Sequence, residues 1–300
     1  MIVVSEQVQQ ALREGRPVVA MESTIFSTLG LPVPHNADAL QRCKAAVQRG
    51  GAVPAVTAVV DGQWRVGLSE ADEQRVLGGT RKVAERDLAV AAAQRWDVGV
   101  TTVSASVALA HRAGIEVFAT GGIGGVHRGV ELSNDVSADL DALANHPVVT
   151  VCAGAKSFLD LARTLEHLET AGVPVLGWRH PDFPAFYVRS SGLPVPHVVE
   201  TAREVARVLR FRSRSETGVL LTVPIPETDE LDRARHDAAL ETALEAASAA
   251  GITGAAVTPF VLERVSQATE GGSVPANLSL AESNAVVAAQ VAAAVLAERA

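Results

Sequence analysis

The chain has 300 residues, enough to bury one sizeable core, and its 48% hydrophobic and 20% charged composition is that of an ordinary globular protein. A net charge of −8 without a basic stripe excludes a nucleic-acid surface, and two cysteines, Cys43 and Cys152, exclude a disulfide framework. Apolar runs break before about 18 residues and no signal peptide opens the chain, so the expectation is a cytoplasmic, enzyme-sized protein with no membrane partner.

Residues 3–14 read as a helix stopped by Gly15, and 17–21 as a short strand that delivers Glu22-Ser23-Thr24 to its end. A glutamate there either caps the next element or faces a pocket. Residues 28–35 form a Pro/Gly-punctuated loop and 36–49 a helix closed by Gly50-Gly51. Two apolar runs about Asp61-Gly62 predict a hairpin, and Ser69 an N-cap. Residues 80–87 lead into a helix ending near Trp96, followed by a strand at 99–103, a small-residue helix at 104–113 and a strand at 116–120. The alternation continues through strands near 148–151, 173–178 and 219–224 and helices at 201–209, 231–250 and 277–300. Arg210–Arg214 reads as a solvated helix end. The rhythm predicts an α/β fold with a largely parallel or mixed sheet, and with no linker or internal repeat to split the chain, residues 1–300 read as one domain.

The stretch Val148–Val151 is a β-branched run ending in Cys152-Ala153-Gly154-Ala155, after which Lys156-Ser157 turns toward a helix. Only three of the 26 basic residues are lysine, Lys44, Lys82 and Lys156, so a lysine where a strand meets a helix stands out. Open α/β sheets bind ligands at such strand ends. A desolvated lysine can become a neutral amine and attack a carbonyl, which arginine cannot do. The residues alone leave open an ordinary phosphate-binding or surface lysine.

Gly121–Gly129 fails as a dinucleotide fingerprint, because His127 stands where the last glycine is needed, so no nucleotide cofactor is expected. Its glycines do suit backbone amides meeting an oxyanion or phosphate. The segment Ser133–Leu140 places Asp135 and Asp139 beside Ser133 and Ser137, compatible either with helix capping or with a hydrated Mg²⁺ or Mn²⁺ beside sugar hydroxyls. No His/Cys spacing supports zinc and no G-x-S-x-G elbow a serine hydrolase.

Met21-Glu22-Ser-Thr-Ile, Lys82-Val-Ala-Glu-Arg-Asp, Gly121-Gly-Ile-Gly-Gly-Val-His127-Arg-Gly, Asp135-Val-Ser-Ala-Asp139, Cys152-Ala-Gly-Ala-Lys156-Ser, Phe183-Pro-Ala-Phe-Tyr187, Val257-Thr-Pro-Phe260 and Ala276-Asn277-Leu occur in order along nearly the whole chain. Together they resemble the pseudouridine-5′-phosphate glycosidases, the indigoidine synthase A-like proteins. The resemblance implies a three-layer α/β/α fold around a central mixed, largely parallel sheet, assembled as a homotrimer with a Mn²⁺-type ion (Mg²⁺ as the alternative) in each site, making or breaking a C–C bond at C1′ of ribose 5-phosphate. It makes Lys156 the nucleophile, Glu22 the general acid/base and Asp135 the metal ligand through water. It sets Lys82, Val103, His127, Ser137, Ala138 and Asp139 about the phosphosugar and Asn277 near the aglycone. A C-glycosidic bond has no leaving oxygen to protonate, and an imine on Lys156 supplies the electron sink that paired carboxylates cannot.

Departures from the family pattern cluster elsewhere. The usual Ile-Ser-His-Gly-Met-Pro-Tyr-Pro-Gln-Asn is here Phe26–Asn36, one residue longer, without the histidine and with Val33 for tyrosine. Ala84-Glu85 replaces Ser-Arg, His180-Pro181-Asp182 replaces Thr-Asp-Glu, Val223 replaces asparagine, and Ser283-Asn284 replaces paired asparagines. Read as base-facing changes, they point to an altered aglycone. The expected activity is then a C-glycosynthase of antibiotic biosynthesis, joining ribose 5-phosphate to an aromatic, quinone-like polyketide ring in the manner of the alnumycin type. The alternatives are a pseudouridine-5′-phosphate glycosidase and a non-catalytic phosphosugar-binding protein.

Overall fold

A computed structural model of the chain describes residues 2–252, 254 and 257–299; Met1 and Ala300, the ends of the expected domain, lie outside the described residues. Eleven strands form the sheet: β1 (Ile2–Val4), β2 (Val18–Met21), β3 (Val53–Val60), β4 (Gln63–Val66), β5 (Lys82–Val83), β6 (Val98–Thr101), β7 (Val117–Ala119), β8 (Val149–Cys152), β9 (Val175–Trp178), β10 (His197–Val199) and β11 (Val219–Thr222). Their order is β1-β4-β3-β2-β7-β8-β11-β9-β10, with β6 pairing β3 and β5 pairing β6. Among the described strands only β3 pairs antiparallel, with β4 and with β6. Helices lie on both sides, as the alternation of elements predicts.

Parallel strands covered on both faces need side chains that are apolar in both directions. β2, β8, β9 and β11 meet this with every residue buried, and so do all of Val53–Val60 in β3. Valine dominates these runs because its branched Cβ suits the pleat and restricts few states the strand would use. The Asp61-Gly62 hairpin forms with both residues at positive φ, 52° and 74°, the conformation a two-residue turn demands.

Some boundaries differ from the sequence reading. Residues 2–4 are not the start of the first helix but a strand parallel to β4; the helix begins at Glu6 because the Ser5 hydroxyl accepts the Val8 N–H. The helix before Trp96 is short, Leu88–Ala93. Arg210 is not merely solvated, since its guanidinium forks onto Glu116 at 3.0 and 3.2 Å. The closing helix, Ser273–Ala297, is long and apolar enough by length and composition to cross a membrane. More than half of its most apolar stretch is buried within the protein. It packs on the helix His35–Arg49 and across β2, β7 and β8, as a core helix.

Candidate active site

The C-terminal ends of β2, β6, β7 and β8 converge on a cavity of about 260 Å³. Glu22 follows β2, Val103 follows β6, the glycine-rich stretch follows β7, and Lys156 follows β8. Strand ends are where backbone N–H and C=O groups run out of ladder partners, and here the next residues take over their bonding. Ile123 N–H donates to Gly154 O and Lys156 N–H to Ile123 O, both at 3.1 Å, so the loops after β7 and β8 lock together. Gly154 sits at φ 74° with Pro184 O only 2.1 Å from where a Cβ would stand, which admits no side chain.

All ten residues singled out by sequence, Glu22, Lys82, Val103, His127, Asp135, Ser137, Ala138, Asp139, Lys156 and Asn277, line this cavity. Glu22 is held from below by a buried hydroxyl cluster. The Ser23 hydroxyl accepts the Thr101 N–H at 2.8 Å, and the Thr101 hydroxyl lies 3.0 Å from Ser23 Oγ and 2.9 Å from Thr57 Oγ1. The Glu22 carboxylate accepts the Thr120 hydroxyl. Burial pushes the Glu22 carboxyl above its usual range, and the Lys156 charge, the Thr120 hydrogen bond and Lys82 pull against it. Burial and the Lys156 charge push the Lys82 amine below its usual range, opposed by Glu22 and Asp139.

Val103 and Ala138 carry no polar side chain, yet each is the first residue of a helix, Val103–Arg112 and Ala138–Asn145. First-turn N–H groups have no carbonyl within their own helix, and both of these ends open on the cavity that Lys82 also lines, an arrangement of the kind that attracts anions. Asp139 braces it. Its Oδ1 accepts the Ser104 N–H at 2.9 Å and its Oδ2 the Gly124 N–H at 2.8 Å. Ser137 caps its helix, accepting the Asp139 N–H at 3.2 Å. A Cβ on Gly124 would lie 2.2 Å from Ser137 Oγ, so glycine is required there. Asp139→Asn turns an amide NH₂ toward one of the two backbone donors. It is expected to cost about 1–3 kcal/mol, since a buried donor loses its acceptor. A thermal melt reads this directly, and an unchanged midpoint would show that the carboxylate is not the brace.

Phe158 and Leu159 also wall the cavity, and no motif marks them in the sequence; Ile25 and Phe186, which fall within the family-like segments, wall it too, with Tyr187 behind Asn277. Gly122 hints at Phe186, since a Cβ there would meet its ring at 2.6 Å. Asn277 places its Nδ2 3.3 Å from the Tyr187 hydroxyl, and its buried Oδ1 has no partner among the described residues.

For a metal, the donor set is sparse. Among the described residues no three His, Cys, Asp or Glu side chains gather. Asp139 has committed both oxygens to backbone. Asp135 is partly exposed on the cavity, with His127 Nδ1 3.7 Å from its Oδ2. Burial pushes the His127 imidazole below its usual range, which favours the neutral ring. One free carboxylate fits a hydrated Mg²⁺- or Mn²⁺-type ion that keeps most of its waters, and does not fit a zinc cage.

A family model for indigoidine synthase A like protein matches residues 7–294. The chain belongs to that family. Similar members include pseudouridine-5′-phosphate glycosidases of Sorangium cellulosum, 48% identical over 96% of this chain and 92% of that protein, and of Roseiflexus sp., 50% identical over 98% and 96%. Among solved structures, the prealnumycin C-glycosynthase AlnA in complex with ribulose 5-phosphate superposes with a TM-score of 0.91 at 38% identity, covering 100% of this chain and 98% of that one. An indigoidine synthase A-like protein from Thermotoga maritima gives 0.86 at 34%, over 97% and 96%. This family member is thus an enzyme acting on C-glycosyl bonds.

The expectation of a C-glycosynthase is overturned. Relatives named as glycosidases share 48% identity over nearly the whole chain, against 38% for the synthase. The geometry supplies the reason. Of the departed positions, Leu29, Gly30 and Ala84 border the cavity. Val33 and His35 are exposed, Val223 is buried away from it, and Asp182 is tied down by the Ser190 hydroxyl at 2.6 Å. Asn284 spends its amide on the Thr120 and Gly121 carbonyls at 2.8 and 3.2 Å. Most of the changes therefore say nothing about the aglycone.

Proposed function

We propose that the chain cleaves pseudouridine 5′-phosphate to uracil and ribose 5-phosphate. The observation that carries this reading is Lys156 and the buried Glu22 in one cavity, close enough for the Lys156 charge to act on the carboxyl. Asn277 Oδ1 adds discrimination. An acceptor left without a partner in a buried wall is matched by a ring N–H, which uracil has and a quinone lacks.

Lys82 and the helix ends at Val103 and Ala138 hold the phosphate, while His127 and Ser137 border the sugar. Glu22, protonated because it is buried, gives its proton to the ribose ring oxygen as the C1′–O4′ bond opens. The Lys156 amine bonds to C1′. The Glu22 carboxylate takes the proton that the lysine nitrogen loses. It passes that proton to the uracil ring carbon as the C1′–C bond breaks with its electron pair kept by the ring, while the lysine nitrogen's own pair forms an imine at C1′. Water hydrolyses the imine, releasing ribose 5-phosphate and restoring the amine. A hydrated divalent ion held by Asp135, Mn²⁺ before Mg²⁺, would supply positive charge beside the anionic sugar phosphate. The same reading carries one domain over residues 1–300, a cytoplasmic location, in keeping with the free, buried Cys43 and Cys152, and assembly as a homotrimer.

Turnover of pseudouridine 5′-phosphate with Mn²⁺ present, followed by uracil appearance, is the direct test; no uracil from folded protein sinks the reading. Treatment with a chelator is expected to lower kcat/KM by about tenfold or more, with recovery on adding Mn²⁺. Full activity after exhaustive chelation would remove the ion and Asp135's role together.

A further inference from the structure

We propose that His236 is a positioning residue for Lys156, acting through Ser157 to hold the nucleophile's segment in its attacking arrangement. The proposal rests on the lysine–imine reading above and adds to it a residue outside the cavity lining.

His236 belongs to the helix Arg233–Ala249 and is 1% exposed. Its Nε2 lies 3.0 Å from Ser157 Oγ and its Nδ1 3.1 Å from Asp237 Oδ1. Burial lowers the imidazole's pKa and keeps the ring neutral near pH 7. The Asp237 carboxylate only accepts, so Nδ1 carries the proton and Nε2 is left as the acceptor of the Ser157 hydroxyl. The three residues have the connectivity of a hydrolytic triad. Ser157 is nevertheless buried and does not line the cavity, so its oxygen meets no substrate. What the arrangement can do is geometric.

Lys156 is held by its own backbone on both sides. Its N–H donates to Ile123 O at 3.1 Å and its carbonyl accepts the Leu159 N–H at 3.0 Å. Ser157 and Phe158 lie inside that turn, and the Ser157 hydroxyl gives it a side-chain tether at 3.0 Å. The bond to His236 ties it to a helix outside the sheet. That helix packs on Val257–Ala268, whose Thr258 and Leu262 border the cavity. On the other side the Tyr187 ring meets His236 edge-on at 6.1 Å, and the Tyr187 hydroxyl holds Asn277. His236 thus joins the residue after the nucleophile to the wall that carries Asn277. A nucleophile displaced by about 1 Å loses about 10²-fold in rate, even with binding intact.

The test uses the full chain, ribose 5-phosphate as the probe and borohydride trapping of the imine. For Ser157→Ala and His236→Ala, the trapping rate is expected to fall by about 10²-fold, with ribose 5-phosphate affinity by calorimetry within about threefold of wild type. His236→Gln is expected to recover at least about tenfold of that loss, because its side-chain carbonyl can accept the Ser157 hydroxyl. Ser157→Ala keeps the ring and its packing, so it decides the matter even where His236→Ala does not fold. Wild-type trapping rates in Ser157→Ala would overturn the proposal. So would affinity lost in step with trapping, which marks general damage to the cavity. Wild-type protein that traps no sugar would instead sink the imine reading beneath it.

Discussion

Lys156→Ala is expected to lower turnover of pseudouridine 5′-phosphate by about 10⁴-fold or more and to leave no sugar trapped on the protein by borohydride. Lys82 lines the cavity too, but under the proposed reading its amine is engaged by the phosphate. The substitution also removes a positive charge that pulls the Glu22 carboxyl back toward its ordinary range. The variant's remaining glutamate is therefore still harder to ionise, so it has neither nucleophile nor base. Ribose 5-phosphate should still bind, because Lys82 and the backbone donors are untouched. Peptide mapping of borohydride-treated protein separates the outcomes, and a trapped sugar persisting on the alanine variant would falsify the nucleophile assignment.

Glu22→Gln is expected to lower kcat by about 10²–10⁴-fold while raising the melting temperature at neutral pH. The two effects share one cause. Burial raises the folded-state pKa of Glu22 above its unfolded value, so the stability associated with the neutral carboxyl is fully present below the unfolded pKa. It is lost as pH rises through the folded one. Glutamine cannot ionise, so it escapes that loss. The difference in melting temperature, variant minus wild type, should be near zero at about pH 4 and grow as pH increases. Catalysis depends on pH in the same window: the wild-type kcat/KM should fall as pH rises through the raised pKa, because the protonated acid opens the ribose ring. Glutamine should abolish that limb. A melting difference that stays flat between pH 4 and pH 8 would show that Glu22 is not buried as a neutral acid.

The buried strands of the sheet's centre were legible because β2, β3 and β8 are valine-rich runs. Lys156 stood out as a lysine just after one of them, and the resemblance of the surrounding motifs to one family brought in Glu22 and Lys82, although 134 positions of chain separate Glu22 from Lys156. What was hidden lies in contacts between segments. The Thr120 hydroxyl reaches Glu22 across 98 residues, and nothing local to Thr120 marks it. The strand His197–Val199 is three residues long and half-exposed, too short for an alternating pattern to show. Asp139 read as a sugar contact; that its carboxylate also bonds the Ser104 and Gly124 amides is visible only once β6, β7 and the helix Ala138–Asn145 are side by side. The altered residues at 26–36 and 180–182 misled for the opposite reason. They interrupt a motif in the linear chain, but folding turns most of them away from the cavity.

The closing helix Ser273–Ala297 bears on how this family diversifies. Under the proposed reading, the phosphosugar is gripped by loops at the strand ends, whereas Asn277 reaches the aglycone from a helix whose next turn is pinned to the helix His35–Arg49, Glu282 bonding Arg42 and Arg49, both at 2.8 Å. The two halves of the substrate are thus read by different elements, joined through Tyr187 and His236 to the lysine's segment. Substitutions near Asn277 that leave its bond to Tyr187 in place can retune which ring is accepted, because the lysine, the acid and the phosphate cradle sit on other elements. A scaffold divided in this way can supply both a catabolic glycosidase and a biosynthetic relative such as AlnA from one inherited reaction.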